Sequence, residues 1–207
     1  MKNFITIEGC EGVGKTYHTK RLKQYCADNG FNVLFTREPG GSRVAEKIRE
    51  IILDADNKDI TDDCEAFLYA ASRVQHLQEI VIPALNEGKT VFCDRFVDSS
   101  YAYQGIARGL GLEKIERLNA LAVGEYMPQY TLFLDLPPKQ AFARKGGADK
   151  KDRLEQLDIE FHQKVYDAYK MLAARDKDRY VVIDASGAKD ETFGKIIAAL
   201  KARGIFA

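Results

Sequence analysis

Phe4-Ile5-Thr6-Ile7-Glu8-Gly9-Cys10-Glu11-Gly12-Val13-Gly14-Lys15-Thr16 opens as a β-branched apolar run, breaks into three glycines and closes on lysine and threonine. Phe4 to Ile7 predicts a strand, and the helical period that starts near Lys15 predicts a helix. Gly9 to Thr16 therefore satisfies GxxxxGK[ST] at a strand-to-helix turn, the context that gives this pattern its meaning. Glycines there let backbone amides turn inward around phosphate oxygens, and the helix N-terminus adds partial positive charge. Lys15 supplies a full charge between β and γ phosphates, and Thr16 can offer its hydroxyl to magnesium. The whole stretch, Gly9, Cys10, Glu11, Gly12, Val13, Gly14, Lys15 and Thr16, is assigned to the phosphates of a nucleoside triphosphate.

Outward from this turn, Val33 to Thr36, Val91 to Cys93, Thr131 to Leu134 and Tyr180 to Ile183 are further short runs, each apolar on both faces and separated by segments of helical period. Alternation of such strands with helices predicts an α/β fold with one doubly wound, mostly parallel sheet of five strands. A helix from about Lys15 to Asn29 ends at Gly30, which suits a left-handed C-cap. A longer one begins near Asp62, where Glu65 sits at capping-box spacing, and Pro83 should interrupt it because proline lacks an amide hydrogen. Leu154, Leu157, Phe161, Val165, Ala168 and Leu172 form a helical stripe that reads as core packing. No repeat, low-complexity tract or linker divides the chain, so residues 1–207 read as a single domain.

The composition agrees: 207 residues, 45% hydrophobic and 30% charged, describe an ordinary globular chain. At this length folding buries roughly 70% of the unfolded surface, so no disulfide or metal staple is needed. With 31 basic against 31 acidic residues the chain has no excess charge for a broad nucleic-acid or membrane face. Cys10, Cys26, Cys64 and Cys93 show no metal or dithiol spacing and read as reduced, mostly buried thiols. Glu8 stops the N-terminal apolar run short of a signal segment, and no later run reaches membrane-spanning length. The expected location is the cytosol.

A phosphate loop leaves many classes open, and other charges choose among them. Asn57-Lys58-Asp59-Ile60 misplaces the aspartate of NKxD, against a guanine-reading switch. Asp94-Arg95 ends the third strand at the carboxyl edge of the sheet, where open α/β sheets bind ligands. Asp94 can hold a magnesium-bound water and Arg95 can clamp a phosphate. Arg144, Lys145, Lys150, Lys151 and Arg153 crowd around Gly146-Gly147, opposed by Asp149 and Asp152. That segment, about 144–155, reads as a mobile lid that brings cations to a transferring phosphoryl group and excludes water. His18, His76 and His162 are scattered and read as structural or exposed.

These residues resemble the thymidylate kinase family over nearly the whole chain. Gly9 to Thr16, Thr36-Arg37-Glu38-Pro39-Gly40-Gly41, Ala70-Ala71-Ser72-Arg73, Asp94-Arg95-Phe96, Ser99-Ser100-Tyr101-Ala102-Tyr103-Gln104-Gly105 and Asp152-Arg153-Leu154-Glu155 fall in the family's order. The resemblance implies a three-layer P-loop NTPase fold with a five-stranded parallel sheet, Mg-ATP as donor, dTMP as acceptor and a homodimer. It assigns the acceptor phosphate to Arg73 and Arg95, and the thymine edge to Arg49 and Gln104. Tyr69 takes the stacking position on the base, Ser100 the wall around the 5-methyl group and Tyr103 the place under the sugar. Glu38 joins the dTMP pocket, while Glu11 reaches toward the 3′-hydroxyl. Thr16 and Asp94 serve the metal. Gly12 leaves the loop without an arginine, a role that passes to the flap, where Arg144 and Arg153 match. The flap here carries lysines and glycines where the family often has arginines, and lysine lacks the guanidinium fork. Lys15, Arg73, Arg95 and Arg153 are the catalytic set.

The attacking oxygen would belong to a phosphomonoester, whose second pKa of about 6 leaves it anionic near neutrality, so no general base is needed. Catalysis is then alignment and charge neutralisation. One rival is a deoxynucleoside kinase, with Glu38 as base for a neutral hydroxyl; it would leave Arg73 and Arg95 without an acceptor phosphate and so unpaired. Another is a nucleotide switch that hydrolyses ATP slowly, for which Arg49, Tyr69, Arg73, Ser100 and Gln104 have no use.

Overall fold

The computed structural model describes residues 3–145 and 157–206. In chain order, β1 (Phe4–Glu8) leads to α1 (Lys15–Asp28), β2 (Val33–Arg37), α2 (Arg43–Leu53) and α3 (Asp62–His76). A π-helical turn, Leu77–Val81, joins α3 to α4 (Ile82–Asn86), after which come β3 (Thr90–Asp94) and α5 (Val97–Ser100). A second π-helical segment, Tyr101–Ala107, precedes α6 (Leu112–Val123), β4 (Tyr130–Asp135) and α7 (Pro138–Lys145). The described chain closes with α8 (Ile159–Arg175), β5 (Tyr180–Asp184) and α9 (Lys189–Ala202).

The five strands form one sheet in the order β2-β3-β1-β4-β5, with every pairing parallel. Side chains alternate across it. Ile5 and Phe92 belong to a core shared with Leu22, Tyr169 and Ile196, whereas Phe4, Val91 and Cys93 meet Leu77, Val81 and Val123 on the other face. The two cores make three layers. β1 lies at the centre, and the chain crosses it between β3 and β4, so the switch point sits above the carboxyl ends of β1 and β3.

Several local expectations meet their physical limits here. β2 and β5 are edge strands, and their half-buried residues correct the reading that all five runs are covered on both faces. Gly30 is left-handed at φ 69°, just beyond α1, as its C-cap role requires. The cap of α3 is Thr61, whose hydroxyl accepts from the Cys64 amide at 3.3 Å. Glu65 is buried, and its carboxylate meets Gln104 and Arg108. The helix is interrupted as Pro83 demands, and the break takes the form of the π turn just before α4. Of the predicted stripe, Phe161, Val165, Ala168 and Leu172 lie on α8 and Leu157 precedes it. Leu154, the Lys145 side chain and the lid residues Gly146, Gly147, Asp149, Lys150, Lys151, Asp152, Arg153 and Glu155 lie outside the described residues. No helix among the described residues is long and apolar enough to cross a membrane.

Candidate active site

A cleft of about 480 Å³ opens over the carboxyl ends of β1, β2 and β3. Its floor is the phosphate loop. Gly9 stands at φ 144°, and a Cβ there would lie 2.9 Å from the Leu134 carbonyl oxygen, so only glycine lets the loop leave β1 this close to β4. The Lys15 ammonium is buried and donates to the Gly9 and Cys10 carbonyls at 2.8 and 2.9 Å. Burial, and then the positive charge of Arg95, push its pKa below the usual amine range. An entering polyanion would offset both effects. Burial also lifts the Cys10 thiol to about 12, which leaves it unreactive.

One wall is a face of α3. Glu65, Tyr69, Ser72, Arg73 and His76 recur at helical spacing and are all buried. Arg73 is 1% exposed, yet it lines the cleft. Its Nη1 donates to Asn119 Oδ1 at 2.5 Å and its Nη2 to Ser100 Oγ at 3.2 Å, while Nε lies 2.9 Å from Glu38 Oε2. The other Glu38 oxygen is 2.9 Å from His76 Nδ1. A carboxylate accepts only, so Nδ1 carries the proton, and Thr36 Oγ1 sits 2.7 Å from Nε2. Gly41, at φ 87°, presses against this ring: a Cβ there would fall 2.6 Å from His76 Cδ2. His76, one of three scattered histidines in the sequence, thus anchors the β2 loop. Glu38 has both oxygens engaged and is 4% exposed, a poor arrangement for the base of a nucleoside kinase.

The opposite wall starts where β3 ends. Arg95 is the one non-glycine residue with positive φ among those described, at 67°, a conformation that stores strain of about 1–3 kcal/mol. Its amide donates to the Ile7 carbonyl at 3.0 Å, and its Nη1 reaches the Gly9 carbonyl and Ser99 Oγ, each at 3.2 Å. Its Nη2 forms an ion pair with Glu11, and the guanidinium lies 5.2 Å from the centre of the Tyr103 ring. Arg73 and Arg95 are therefore not cations waiting without partners. Glu38 and Glu11 hold them, which corrects the expectation that an absent acceptor phosphate leaves both unpaired.

Beneath Arg95 lies a group that sequence reading treated only as a break in an apolar run. Glu8 is fully buried; its Oε1 accepts from the Phe96 amide at 2.7 Å, and its Oε2 from the Ser99 and Tyr169 hydroxyls, each at 2.7 Å. Burial, and then the charge of Asp98, raise its pKa from 4.5 to about 7, against the opposing pull of Arg95. Asp98 in turn is clamped by Arg179, which donates from Nη1 at 2.6 Å and Nη2 at 2.8 Å. A polar residue directly after a buried strand was the only signal of Glu8 in the sequence.

Of the sequence-predicted residues, Glu11, Gly12, Gly14, Lys15, Thr16, Glu38, Arg49, Tyr69, Arg73, Asp94, Arg95, Tyr103 and Gln104 line the cleft. Gly9, Cys10 and Val13 shape the loop from behind. Ser100 is not on the wall; it is buried behind Arg73. Arg49 Nη1 donates to the Pro39 carbonyl at 2.9 Å. Arg144 stands apart from the cleft lining, with Nη1 donating to the Ala185 carbonyl at 2.7 Å and Nη2 to that of Ser186. Tyr17, Arg37, Pro39, Leu53, Phe96 and Ser99 complete the lining and were not anticipated. Asp94 Oδ1 is buried with no hydrogen-bond partner among the described residues, and Thr16 lines the same cleft. One carboxylate and one hydroxyl, completed by phosphate oxygens and water, form a donor set that suits magnesium.

A parallel sheet of this order, a phosphate loop on its central strand and a guanidinium-bearing wall across the cleft define the class of P-loop phosphotransferases. The family model described as Thymidylate kinase matches residues 7–196. A thymidylate kinase of Finegoldia magna is 44% identical over 202 residues, covering 98% of this chain and 99% of that protein. One from Geobacillus sp. (strain WCH70) is 46% identical with 95% of each chain covered, and one from Geotalea uraniireducens 47% with 98% of each. The chain belongs to the thymidylate kinase family.

Proposed function

We propose that this protein transfers the γ-phosphoryl group of Mg-ATP to dTMP, giving dTDP and ADP for dTTP synthesis. The observation that carries the reading is the meeting, in one cleft, of Lys15 on the phosphate loop with Arg73 and Arg95 on the facing walls. The loop amides and Lys15 hold the donor phosphates, and the two arginines receive the acceptor phosphate. That phosphate displaces Glu11 from Arg95, and the freed carboxylate accepts from the 3′-hydroxyl of the sugar. Tyr69 and Tyr103 flank base and sugar, and Arg49 and Gln104 face the base edge. Thr16 and Asp94 are the residues that would hold magnesium, which when bound neutralises charge on the donor phosphates. Since the nucleophile is already anionic, this chain's residues orient and neutralise and do not abstract a proton. Arg144 and Arg153 are assigned to the donor side, the latter by sequence position alone. A single domain and a cytosolic location, with its reduced thiols, belong to the same reading.

We also propose a homodimer formed through α3 and α6. These helices pack together, yet expose Phe67 at 62% and Leu121 at 92%, large apolar side chains that a second copy of the same face would cover.

The test is ADP release from Mg-ATP across a panel of nucleoside monophosphates, with thymidine as control. dTMP should be the preferred acceptor and thymidine inert. Lys15→Ala and Arg95→Ala should each lower kcat by about 10²-fold or more while circular dichroism stays unchanged. Near-normal turnover in either variant, or hydrolysis indifferent to the acceptor, would refute the assignment.

A further inference from the structure

Gln104 reaches the cleft from the second π-helical segment and is 1% exposed. Its side-chain amide has two orientations of similar intrinsic energy, because the terminal torsion of glutamine is roughly two-fold. Which orientation holds decides whether the cleft sees a donor or an acceptor. Gln104 Nε2 donates to Glu65 Oε1 at 2.8 Å. The second Glu65 oxygen accepts from Arg108 Nη2 at 3.2 Å, and the Arg108 guanidinium rests 5.3 Å from the centre of the Phe161 ring, with its Nε 3.6 Å from Asp62. Glu65 is 1% exposed and held from two sides, so it has no freedom to turn away. A carboxylate accepts and does not donate; the amide nitrogen must face it, and Gln104 Oε1 must point the other way.

We propose that Glu65, braced by Arg108, is a specificity-determining positioning residue: it locks the Gln104 amide so that the cleft presents a hydrogen-bond acceptor to the pyrimidine edge. The inference rests on the dTMP reading above and extends it. A thymine or uracil ring offers an N3–H to that acceptor, whereas cytosine offers a lone pair at N3, which an oxygen there repels. Discrimination between imide and amino-pyrimidine then resides one residue behind the pocket, in a side chain that touches no substrate.

Glu65→Gln keeps the shape and still gives Arg108 an acceptor, but its own amide can face Gln104 with either end. The expected result is a fall of about 10- to 100-fold in the ratio of kcat/KM for dTMP over dCMP. The same change placed on a Gln104→Ala background should leave the ratio where Gln104→Ala alone puts it. A second measurement needs no variant: N3-methyl-dTMP, which lacks the donor, should compete with dTMP at least about tenfold less well. An unchanged ratio in Glu65→Gln overturns the proposal, as does a fall of equal size on the Gln104→Ala background, or equal competition by the N3-methyl analogue. Failure of the unaltered protein to use dTMP at all would instead remove the reading beneath it, and the two failures are told apart by that first assay.

Discussion

Replacing Glu8 by glutamine should change how the stability of this protein depends on pH, and the size of the change follows from the buried network. The Glu8 carboxyl sits under Arg95 with three donors on its two oxygens, and its pKa rises from 4.5 to about 7 because burial and Asp98 disfavour the charge. The folded state therefore binds this proton more tightly than the unfolded chain does. Stability from this group is fully present below about pH 4.5 and is lost as pH climbs through 7. The gap between 4.5 and about 7 corresponds to roughly 3 kcal/mol. Glutamine mimics the protonated form: one oxygen remains for the Phe96 amide, and the new NH₂ can donate to the Ser99 and Tyr169 hydroxyl oxygens. Urea unfolding followed by circular dichroism at steps from pH 4.5 to 8.5 is the assay, since the chain has no tryptophan to report by fluorescence. Titrating groups that do not interact with Glu8 cancel in the difference between variant and wild type. That difference should move in the variant's favour by on the order of 3 kcal/mol between pH 4.5 and 8.5. A difference that stays flat across the range would refute the reasoning.

Asp98→Ala should be costly, because it strips a buried partner from Arg179 and an acceptor from Thr131, whose hydroxyl donates to Asp98 Oδ2 at 3.0 Å. A loss of about 3–5 kcal/mol is expected in the same urea assay, and a loss under 1 kcal/mol would show that the pair is not the clamp it looks to be. Leu121→Glu places a charge on the exposed α6 face and should shift sedimentation from dimer to monomer; an unaltered dimer would move the interface elsewhere.

The class of fold and the phosphate loop were readable because both are local. Strand and helix periods lie within a few consecutive residues, and Gly9 to Thr16 carries its own geometry in its glycines. The terminal strands were over-read for a nonlocal reason: Val33 to Thr36 and Tyr180 to Ile183 are apolar enough for a sheet interior, and only the order β2-β3-β1-β4-β5 puts them at its edges. Asp62 and Glu65 have capping-box spacing, yet Glu65 is drawn to Gln104 and Arg108, residues about forty positions away, as the 39- and 43-residue separations of those contacts show.

From the chain alone came an α/β fold with a phosphate loop and the short motifs of its family, since each depends on residue type at short spacing. What only the tertiary structure decided is which charge answers which. Glu38 is held by Arg73 and His76, Arg95 by Glu11, and Glu8 by donors from β3's end and α8. A glutamate at the end of a strand reads the same whether it will meet water, a metal or a guanidinium. Its ionisation and its role are set by burial and by neighbours brought from distant parts of the chain, and those exist only once the layers have closed.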